Sequence, residues 1–255
     1  MSKESRLPPV FIASKGRPNG RTMQLLKDTM VPHTVFVEPQ DREAYADHDQ
    51  LWVLENDDQG LYATRQQILD YARGMGHEWY WLLDDDITGF FEVVNGRCVR
   101  SSALGVLTAA SLRFIDERSI GQAGLEYRQY AWAAKRAFKL DSYCDVCVAI
   151  RSSVMADYDQ RFAMKGDRDF TLQVLSEGYH VMKICRWGFD TVANGSNEGG
   201  LYDAYQAGLE REMSELLVSK WPRQAELHVK KDGRPDAKID WQWFARQRLA
   251  REATA

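Results

Sequence analysis

The sequence lacks any long apolar run, and no stretch of its 255 residues approaches the length of a transmembrane helix. Residues 1–9 are polar and lack the apolar segment of a secretory signal peptide. We therefore expect a cytoplasmic protein without membrane association. The formal net charge is only −4, which argues against a chain coated in positive charge. Any contact with nucleic acid must then be made by a local basic surface.

Cysteine is scarce, and the four cysteines do not complete a zinc motif. Cys144 and Cys147 form a lone C-x-x-C, and no second pair accompanies it. The pair lies at a predicted strand, Asp145–Ile150, in which the two thiols would point to opposite faces. We expect reduced, buried thiols rather than a zinc or redox centre.

The common phosphate-binding motifs are also absent, because no G-x-G-x-x-G or Walker loop follows the first strand. Instead, strand Val10–Ala13 leads into a loop rich in glycine, proline and cations. In a doubly wound sheet this position receives a nucleotide. Lys15, Arg17 and Arg21 could pair with its phosphates, although a solvated loop explains the same composition.

The most informative stretch present is the apolar run Trp79–Leu83, which stops abruptly at Asp84, Asp85 and Asp86. Such a run predicts a strand buried on both faces of a mainly parallel sheet. Three carboxylates cannot stay inside that sheet, so they must emerge at its carboxyl edge, where ligands bind. Clustered oxygen ligands suit Mg²⁺ or Mn²⁺. The alternative is an acidic turn that closes the strand.

The first ninety residues alternate short strands with helices, which predicts a parallel sheet with right-handed crossovers. A hairpin is predicted to turn at Asn95-Gly96, followed by a helix capped by Ser101-Ser102. Residues 120–140 have no clear periodicity and mix aromatic with cationic side chains. That mixture suits either nucleic acid or packing beneath a loop.

A second acidic cluster, Asp167 and Asp169, opens a helix that Gly178 ends. By itself this cluster favours a helix cap. Residues 194–200 form a glycine-rich loop that could close over a donor. A helical stripe runs from Leu201 to Leu217. The tail from Lys220 is locally basic, and its segment 230–235 predicts a hairpin turn or, alternatively, a minor-groove hook.

Together these motifs resemble the layout of GT-A glycosyltransferases. More narrowly, four segments resemble the TET-associated glycosyltransferases of bacteriophages, which add sugars to 5-hydroxymethylpyrimidines in phage DNA. These segments are Ser14–Pro18, Phe36–Pro39, Leu82–Asp86 and Asp167–Phe170 with Gly178-Tyr179. The resemblance implies an α/β fold with a single GT-A, Rossmann-like domain, a mainly parallel central sheet flanked by helices, and a basic C-terminal extension. We place the domain at 1–219, with a nucleotide-binding half at 8–100 and an acceptor half at 101–219. The extension, 220–255, is expected to pack on the same domain.

The resemblance also implies roles for individual residues. Asp86 would bind Mn²⁺ or Mg²⁺, and Asp84 would bind the metal or the donor's ribose. One of Asp167 and Asp169 would be the catalytic base of an inverting enzyme. The family often has a late histidine ligand, and here Asp190 is the nearest candidate. The donor, a UDP-sugar, would be lined by Ala13, Ser14, Lys15, Arg17, Glu38, Arg65, Asp84 and Asp85.

The expected acceptor is DNA that contains 5-hydroxymethylcytosine or another hydroxymethylpyrimidine, in the host cytoplasm if the protein is encoded by a phage. Lys230, Lys231 and Arg234 are expected to contact that DNA. Three alternatives stay open from the residues. They are a GT-A enzyme acting on glycan, lipid or protein, a haloacid-dehalogenase-type phosphatase (since residues 84–88 spell D-x-D-x-T), and a non-catalytic DNA-binding module.

Overall fold

The computed structural model describes residues 7–192 and 208–252, which contain a ten-stranded sheet and a separate two-stranded hairpin. The strands of the large sheet are β1 Val10–Ala13, β2 His33–Val37, β3 Leu51–Val53, β4 Trp79–Asp84, β5 Ile87–Val94, β6 Arg97–Ser101, β7 Ile120–Tyr127, β8 Phe138–Leu140, β9 Cys147–Arg151 and β10 His180–Thr191. The hairpin strands are β11 Ala225–Val229 and β12 Pro235–Ile239. The helices are α1 Arg21–Asp28, α2 Leu61–Gly74, α3 Ala103–Ser111, α4 Arg128–Ala131, α5 Gly166–Ser176, α6 Glu210–Lys220 and α7 Trp243–Glu252. A 3₁₀ helix, Pro39–Asp41, follows β2.

The sheet has the order β3-β2-β1-β4-β9-β7-β10-β5-β6, and β8 pairs with β10 beside this path. The first four strands are mutually parallel. Only β9, β5 and β8 are reversed, so seven of the ten strands run in one direction. The predicted α/β fold with a mainly parallel sheet is therefore confirmed. The carboxyl ends of β1, β2 and β4 meet at one edge.

The strand β4 is buried on both faces, as its sequence predicted. Alternate residues from Trp79 to Leu83 belong to two core clusters, one under α1 and α3 and the other under α2, α5 and α6. The indole of Trp81 is fully buried, and its Nε1 donates to Ser111 Oγ at 3.0 Å. The unbroken run of buried apolar side chains ends at Leu83, and the three carboxylates follow it. Asp84 and Asp86 are partly exposed, whereas Asp85 stays buried and is compensated by hydrogen bonds.

The prediction of irregular structure for residues 120–140 is wrong, because β7 lies at the centre of the sheet between β9 and β10. Because β7 contains glycines and polar residues, its sequence lacks the apolar pattern that is typical of a strand. A Cβ at Gly124 would lie 2.6 Å from Cys144 Cβ, so close packing there requires glycine. Gln122 is buried, and its amide oxygen accepts from Thr171 Oγ1 at 3.1 Å. These long-range contacts, rather than local periodicity, stabilise the strand.

The structure contains the predicted Asn95-Gly96 turn and the predicted serine cap, and it places Cys144 and Cys147 on opposite faces of the sheet as predicted. Asn95 and Gly96 both have positive φ, 49° and 74°, as a two-residue hairpin turn of type I′ requires. The N-cap of α3 is Ser102, whose Oγ accepts from Gly105 N at 3.1 Å. Cys144 and Cys147 are free thiols in different core clusters, on opposite faces of the sheet.

The basic tail forms a hairpin, β11–β12, and not a free hook. Arg234 pairs with Asp232 at 2.7 Å, and Lys230 pairs with Asp236 at 2.9 Å. Asp236 also binds Lys165 beside α5 at 2.7 Å, so the hairpin is docked on that helix. Ion pairs likewise engage Lys220, Lys238, Arg246 and Arg248. Much of the positive charge that the sequence assigns to the tail is therefore neutralised within the chain.

The predicted donor loop at 194–200 and the first part of the stripe that begins at Leu201 lie outside the described residues. Among residues 7–192 and 208–252, no helix combines the length and apolar character that a bilayer crossing needs. The boundary at residue 219 stays a prediction. Residues beyond it nevertheless contact the rest of the chain, since the ring of Trp241 stacks on Tyr143 with centroids 5.2 Å apart.

Candidate active site

The first strand end and the aspartate triplet meet at the carboxyl edge of the sheet. Ala13 is in register with Phe36 of β2 on one side and with Asp84 of β4 on the other. The loop after β1 therefore lies beside both the triplet and Glu38. The predicted nucleotide-binding residues are brought together by the parallel pairing of three strands.

Asp85 binds the loop after β1. It is buried, and its two carboxylate oxygens accept from Ser14 Oγ at 2.6 Å and from Arg17 Nη1 at 2.8 Å. Tyr45, which the sequence analysis missed, completes the contact because its hydroxyl bonds Ser14 Oγ and accepts from Arg17 N, each at 2.7 Å. Asp85 thus positions the loop through both of its oxygens.

The same loop is held from its other side by further carboxylates. Lys15 pairs with buried Glu38 at 2.8 Å and with Asp58 at 2.5 Å. Gly16 N donates to Asp41 Oδ2 at 2.9 Å. The loop is therefore fixed before any donor binds, which lowers the entropy lost on binding.

Asp84 forms an ion pair with Arg65, whose Nη2 lies 2.7 Å from Asp84 Oδ1. Arg65 is buried, and its Nε has no hydrogen-bond partner within the described structure. Burial raises the pKa of Asp84 above its ordinary value, although the charge of Arg65 opposes the shift. Arg65 thus lies at the edge as predicted, and its Nε–H group has no hydrogen-bond acceptor among the described residues.

Asp86 differs from its two neighbours because no other described residue donates a hydrogen bond to its carboxylate. Burial, with the charges of Asp84 and Asp85, raises the pKa of Asp86 to about 6. Burial and the charges of the neighbouring aspartates therefore disfavour the ionised forms of Asp84 and Asp86. Oxygen donors in such a setting fit a divalent cation. Asp84 and Asp86 satisfy the donor chemistry of the predicted metal site.

Asp190 is not gathered with these two carboxylates. Its Oδ2 accepts from Arg128 Nη1 of α4 at 2.9 Å. Across the described ranges, no three His, Cys, Asp or Glu side chains are arranged to hold a metal ion. The expected set of Asp84, Asp86 and Asp190 is therefore not assembled in this structure. Mg²⁺ sites commonly use one or two carboxylates, with substrate phosphates and waters as the other ligands.

The two carboxylates of α5, Asp167 and Asp169, have different hydrogen-bond partners. Asp167 accepts from the hydroxyl of Tyr62 at 3.2 Å and from the hydroxyl of Tyr143. Asp169 is fully buried and accepts from three donors on its other side, Gln173 Nε2, Lys220 Nζ and Trp221 Nε1, at 2.7–2.8 Å. A carboxylate so enclosed cannot reach an acceptor hydroxyl. Of the predicted pair, only Asp167 faces the edge that carries the triplet.

Asp145 is a member of this edge that the sequence analysis missed. It precedes β9, which runs antiparallel to β4, so the start of β9 lies beside the end of β4. Asp84 N donates to Val146 O at 2.9 Å, which links the two segments. Burial and the charge of Asp167 raise the pKa of Asp145 to about 6, and Tyr127 donates to its Oδ2 at 3.1 Å. A carboxylate directly before a buried reversed strand was the signal that could have revealed it.

This arrangement combines a fixed loop suited to phosphates, a pair of carboxylates suited to a cation, and a further carboxylate, Asp167, across the edge. Among solved structures, mannose-1-phosphate geranyltransferase from Thermus thermophilus is similar at 12% identity, covering 72% of this chain and 75% of that chain with a TM-score of 0.41. Comparison with curated protein sequences found no significant match. The family model of the TET-associated glycosyltransferases matches residues 8–200, which include the loop after β1, the triplet and Asp167. The chain therefore belongs to the TET-associated glycosyltransferase family and is a glycosyltransferase, as its motifs predicted.

Proposed function

We propose that this glycosyltransferase moves a sugar from a UDP-sugar onto 5-hydroxymethylcytosine, or another hydroxymethylpyrimidine, in DNA, with Mn²⁺ or Mg²⁺ as cofactor. The observation that carries the proposal is the carboxyl edge of the sheet. There, Asp84 and Asp86 have raised pKa values beside a loop that is already fixed in place. Family membership supports sugar transfer, and the DNA acceptor is the family's expected substrate.

The loop after β1 would bind the donor. Backbone amides and the cations Lys15 and Arg17 lie at the end of β1, where a nucleotide is bound in open α/β sheets. Glu38 at the neighbouring strand end offers an acceptor to ribose or to the uracil N–H, in exchange for its present partner Lys15. Arg65 keeps Asp84 in place at this edge through its Nη2, 2.7 Å from Asp84 Oδ1.

Asp86 and Asp84 are the residues that would hold the cation. Bound there, a divalent ion supplies Lewis-acid neutralisation of the negative charge that develops on the leaving UDP. The chain's own contribution is to keep these two carboxylates at the strand end, with Arg65 fixing the orientation of Asp84.

Asp167 would remove the proton from the acceptor hydroxyl, because an alcohol is a poor nucleophile until it loses that proton. The hydroxyls of Tyr62 and Tyr143 orient its carboxylate. Asp145 lies near Asp167, since burial and the charge of Asp167 together raise the pKa of Asp145.

The test is transfer from a pool of UDP-sugars to DNA that contains 5-hydroxymethylcytosine, with Mn²⁺ or Mg²⁺ and with unmodified DNA as control. Mass spectrometry of the digested nucleosides should show a sugar adduct only on the modified base. Excess EDTA should remove the activity. If UDP-sugar is hydrolysed but neither single nor double strands acquire an adduct, the acceptor is not DNA, and glycan, lipid or protein acceptors take its place.

A further inference from the structure

A groove of about 400 Å³ lies outside the donor site, between the β5–β6 hairpin and α4. It is lined by residues 96–98 of the hairpin, by Arg128, Gln129 and Trp132 at α4, and by Asp190 of β10. We call it the hairpin groove. Its volume falls within the roughly 300–1,000 Å³ that is typical of sites for small ligands. None of the residues proposed to bind the donor or the metal lines this groove.

Trp132 is an exposed indole that is held in a fixed position. Its exposed fraction is 58%, and its Nε1 donates to Gln129 O at 3.0 Å. Tyr130 lies on α4, which ends just before Trp132, and it is equally exposed, with its ring edge-on to Tyr127 at 6.5 Å. Trp132, which lines the groove, and Tyr130, on the adjoining helix, expose apolar surface that a flat ligand can cover.

The charge at the groove is mainly positive. Arg97 of the hairpin is exposed, and Arg100 of the same strand is also exposed. The guanidinium of Arg128 lies over the Phe91 ring at 4.5 Å and pairs with Asp190. Among the residues that line the groove, the two arginines Arg97 and Arg128 outnumber the single carboxylate, Asp190, which suits an anionic chain that carries flat rings. Interleaved cations and aromatic rings are the means by which proteins bind single-stranded nucleic acid.

Two sets of contacts link the groove to the edge of the sheet that carries the aspartates. Asp190 on β10 is in register with Gly89 of β5, and Val192 N donates to Asp86 O at 3.4 Å. Tyr127, which directly precedes α4, donates to Asp145. The groove and the carboxylates are therefore bordered by the same two elements, β10 and the end of β7.

We propose that the hairpin groove binds the acceptor DNA as an unpaired strand, with an unstacked base on Trp132 and an adjacent phosphate on Arg97. This inference rests on DNA being the acceptor under the proposed function. An indole at the surface can stack on a base only when that base has left its duplex partner. The groove therefore selects a splayed or single-stranded segment, and phosphate contacts add affinity without sequence preference.

The experiment measures binding of a fluorescein-labelled single strand of about 12 nucleotides, carrying one 5-hydroxymethylcytosine, by anisotropy at several salt concentrations. Trp132→Ala should weaken binding about fivefold or more, the loss of one base–aromatic stack, while Trp132→Phe should keep most of the affinity. Arg97→Gln should lower the slope of log K against log salt by about one. UDP binding should be unchanged in all three variants.

Two matched controls lie at the opposite end of the sheet. Met75→Ala removes an exposed apolar side chain at the end of α2, and Arg118→Gln removes an exposed cation before β7. Both should bind the oligonucleotide as the unsubstituted protein does. If Trp132→Ala and Arg97→Gln also bind normally, or if the unsubstituted protein does not bind the strand at all, the groove is not the acceptor site. If the groove variants bind the strand normally while the protein still transfers sugar to DNA, the groove proposal fails and the proposed function stands. If binding depends on the groove but no sugar adduct forms, the proposed function fails instead.

Discussion

Three adjacent aspartates at the end of β4 have three different environments. Asp85 is buried and accepts from Ser14 and Arg17, and Asp84 is paired with Arg65. No other described residue donates to the Asp86 carboxylate, and burial, with the charges of Asp84 and Asp85, raises its pKa to about 6. Since neighbouring like charges destabilise one another, Asp86 is the position that an added cation would stabilise most.

Asp86→Ala should therefore abolish transfer without unfolding the protein. Loss of a ligand that stabilises developing charge costs several kcal/mol, or at least about a hundredfold in rate. Removing a crowded carboxylate should leave the thermal midpoint unchanged or slightly higher. Sugar transfer and thermal unfolding measure the two effects, and Asp49→Ala, an exposed aspartate away from the edge, is the control. Full activity of Asp86→Ala would exclude the proposed metal site.

Asp167→Asn and Asp169→Asn should separate chemistry from stability. The first should reduce turnover by about two to four orders of magnitude while UDP binding is retained, because only its base function is lost. The second should lower the free energy of unfolding by about 1–3 kcal/mol, since Lys220 and Trp221 lose a charged acceptor. Turnover and urea unfolding of both variants provide the comparison. If Asp167→Asn keeps its turnover, the base lies elsewhere.

At the scale of elements, β10 determines where α4 can lie. The pairing of β10 with β7 shifts between Ile184 and Gly188, and α4 packs directly over Gly188. A Cβ at Gly188 would lie 2.9 Å from the Glu126 carbonyl oxygen and 3.3 Å from Ala131 Cβ. The absence of a side chain on β10 therefore positions the helix that carries Arg128 and precedes Trp132.

Gly188→Ala should destabilise the protein by about 1–3 kcal/mol, because backbone must move to accept the methyl group. Gly74→Ala is the matched control. Its Cβ would contact nothing within 4 Å at the end of α2, so it should be neutral or stabilising by up to about 1 kcal/mol. Chemical unfolding measures both changes. Equal stability of the two variants would show that α4 is not held against β10 in this way.

The hairpin β11–β12 should make the protein acid-sensitive through Asp236. Burial alone would raise the pKa of Asp236, but hydrogen bonds from Lys165 and the charge of Arg168 hold it below its ordinary value. A carboxylate whose pKa is depressed by folding stabilises the fold above its unfolded pKa of about 3.9. That stability is lost as the pH falls through the lower, folded value. The free energy of unfolding should therefore fall below about pH 4, and Asp236→Asn should flatten this acid slope while being less stable at pH 7. An unchanged slope would contradict this role.

At the scale of the whole molecule, the charges of the tail do not form the free basic surface that its composition indicates. Lys230 and Arg234 pair with Asp236 and Asp232 of the same hairpin. Positive charge beside aromatic rings is found instead at the hairpin groove. Because exposed ion pairs cancel most of the long-range field of their members, composition overstates the tail's attraction for DNA.

Neutralising Lys230, Lys231 and Arg234 together should therefore change the affinity for DNA by less than about threefold, which is smaller than the effect of Trp132→Ala. Urea unfolding should show lower stability, since Asp236 loses one of its partners. Anisotropy over a salt series, with Arg97→Gln measured in parallel, compares the two surfaces. A large loss of salt dependence in the tail variant alone would place the DNA on the tail.

Features that depend on neighbouring residues were accessible from the sequence alone. The apolar run of β4, its terminal carboxylates, the Asn95-Gly96 turn and the Ser102 cap are short-range patterns, because strand burial, turn geometry and capping act over a few residues. The family resemblance rests on motifs of this kind, and the family match confirms it.

The tertiary structure alone decided which groups meet. It made a central strand of β7, whose glycines and buried Gln122 are stabilised by distant partners. It brought Asp145 to the triplet, and it turned Asp167 toward that edge while burying Asp169 against Trp221. It also paired the cations of the tail and left those of the groove beside exposed rings. The physical reason is that these contacts join residues far apart in sequence, and their energy depends on sheet order and on burial, neither of which a local pattern specifies.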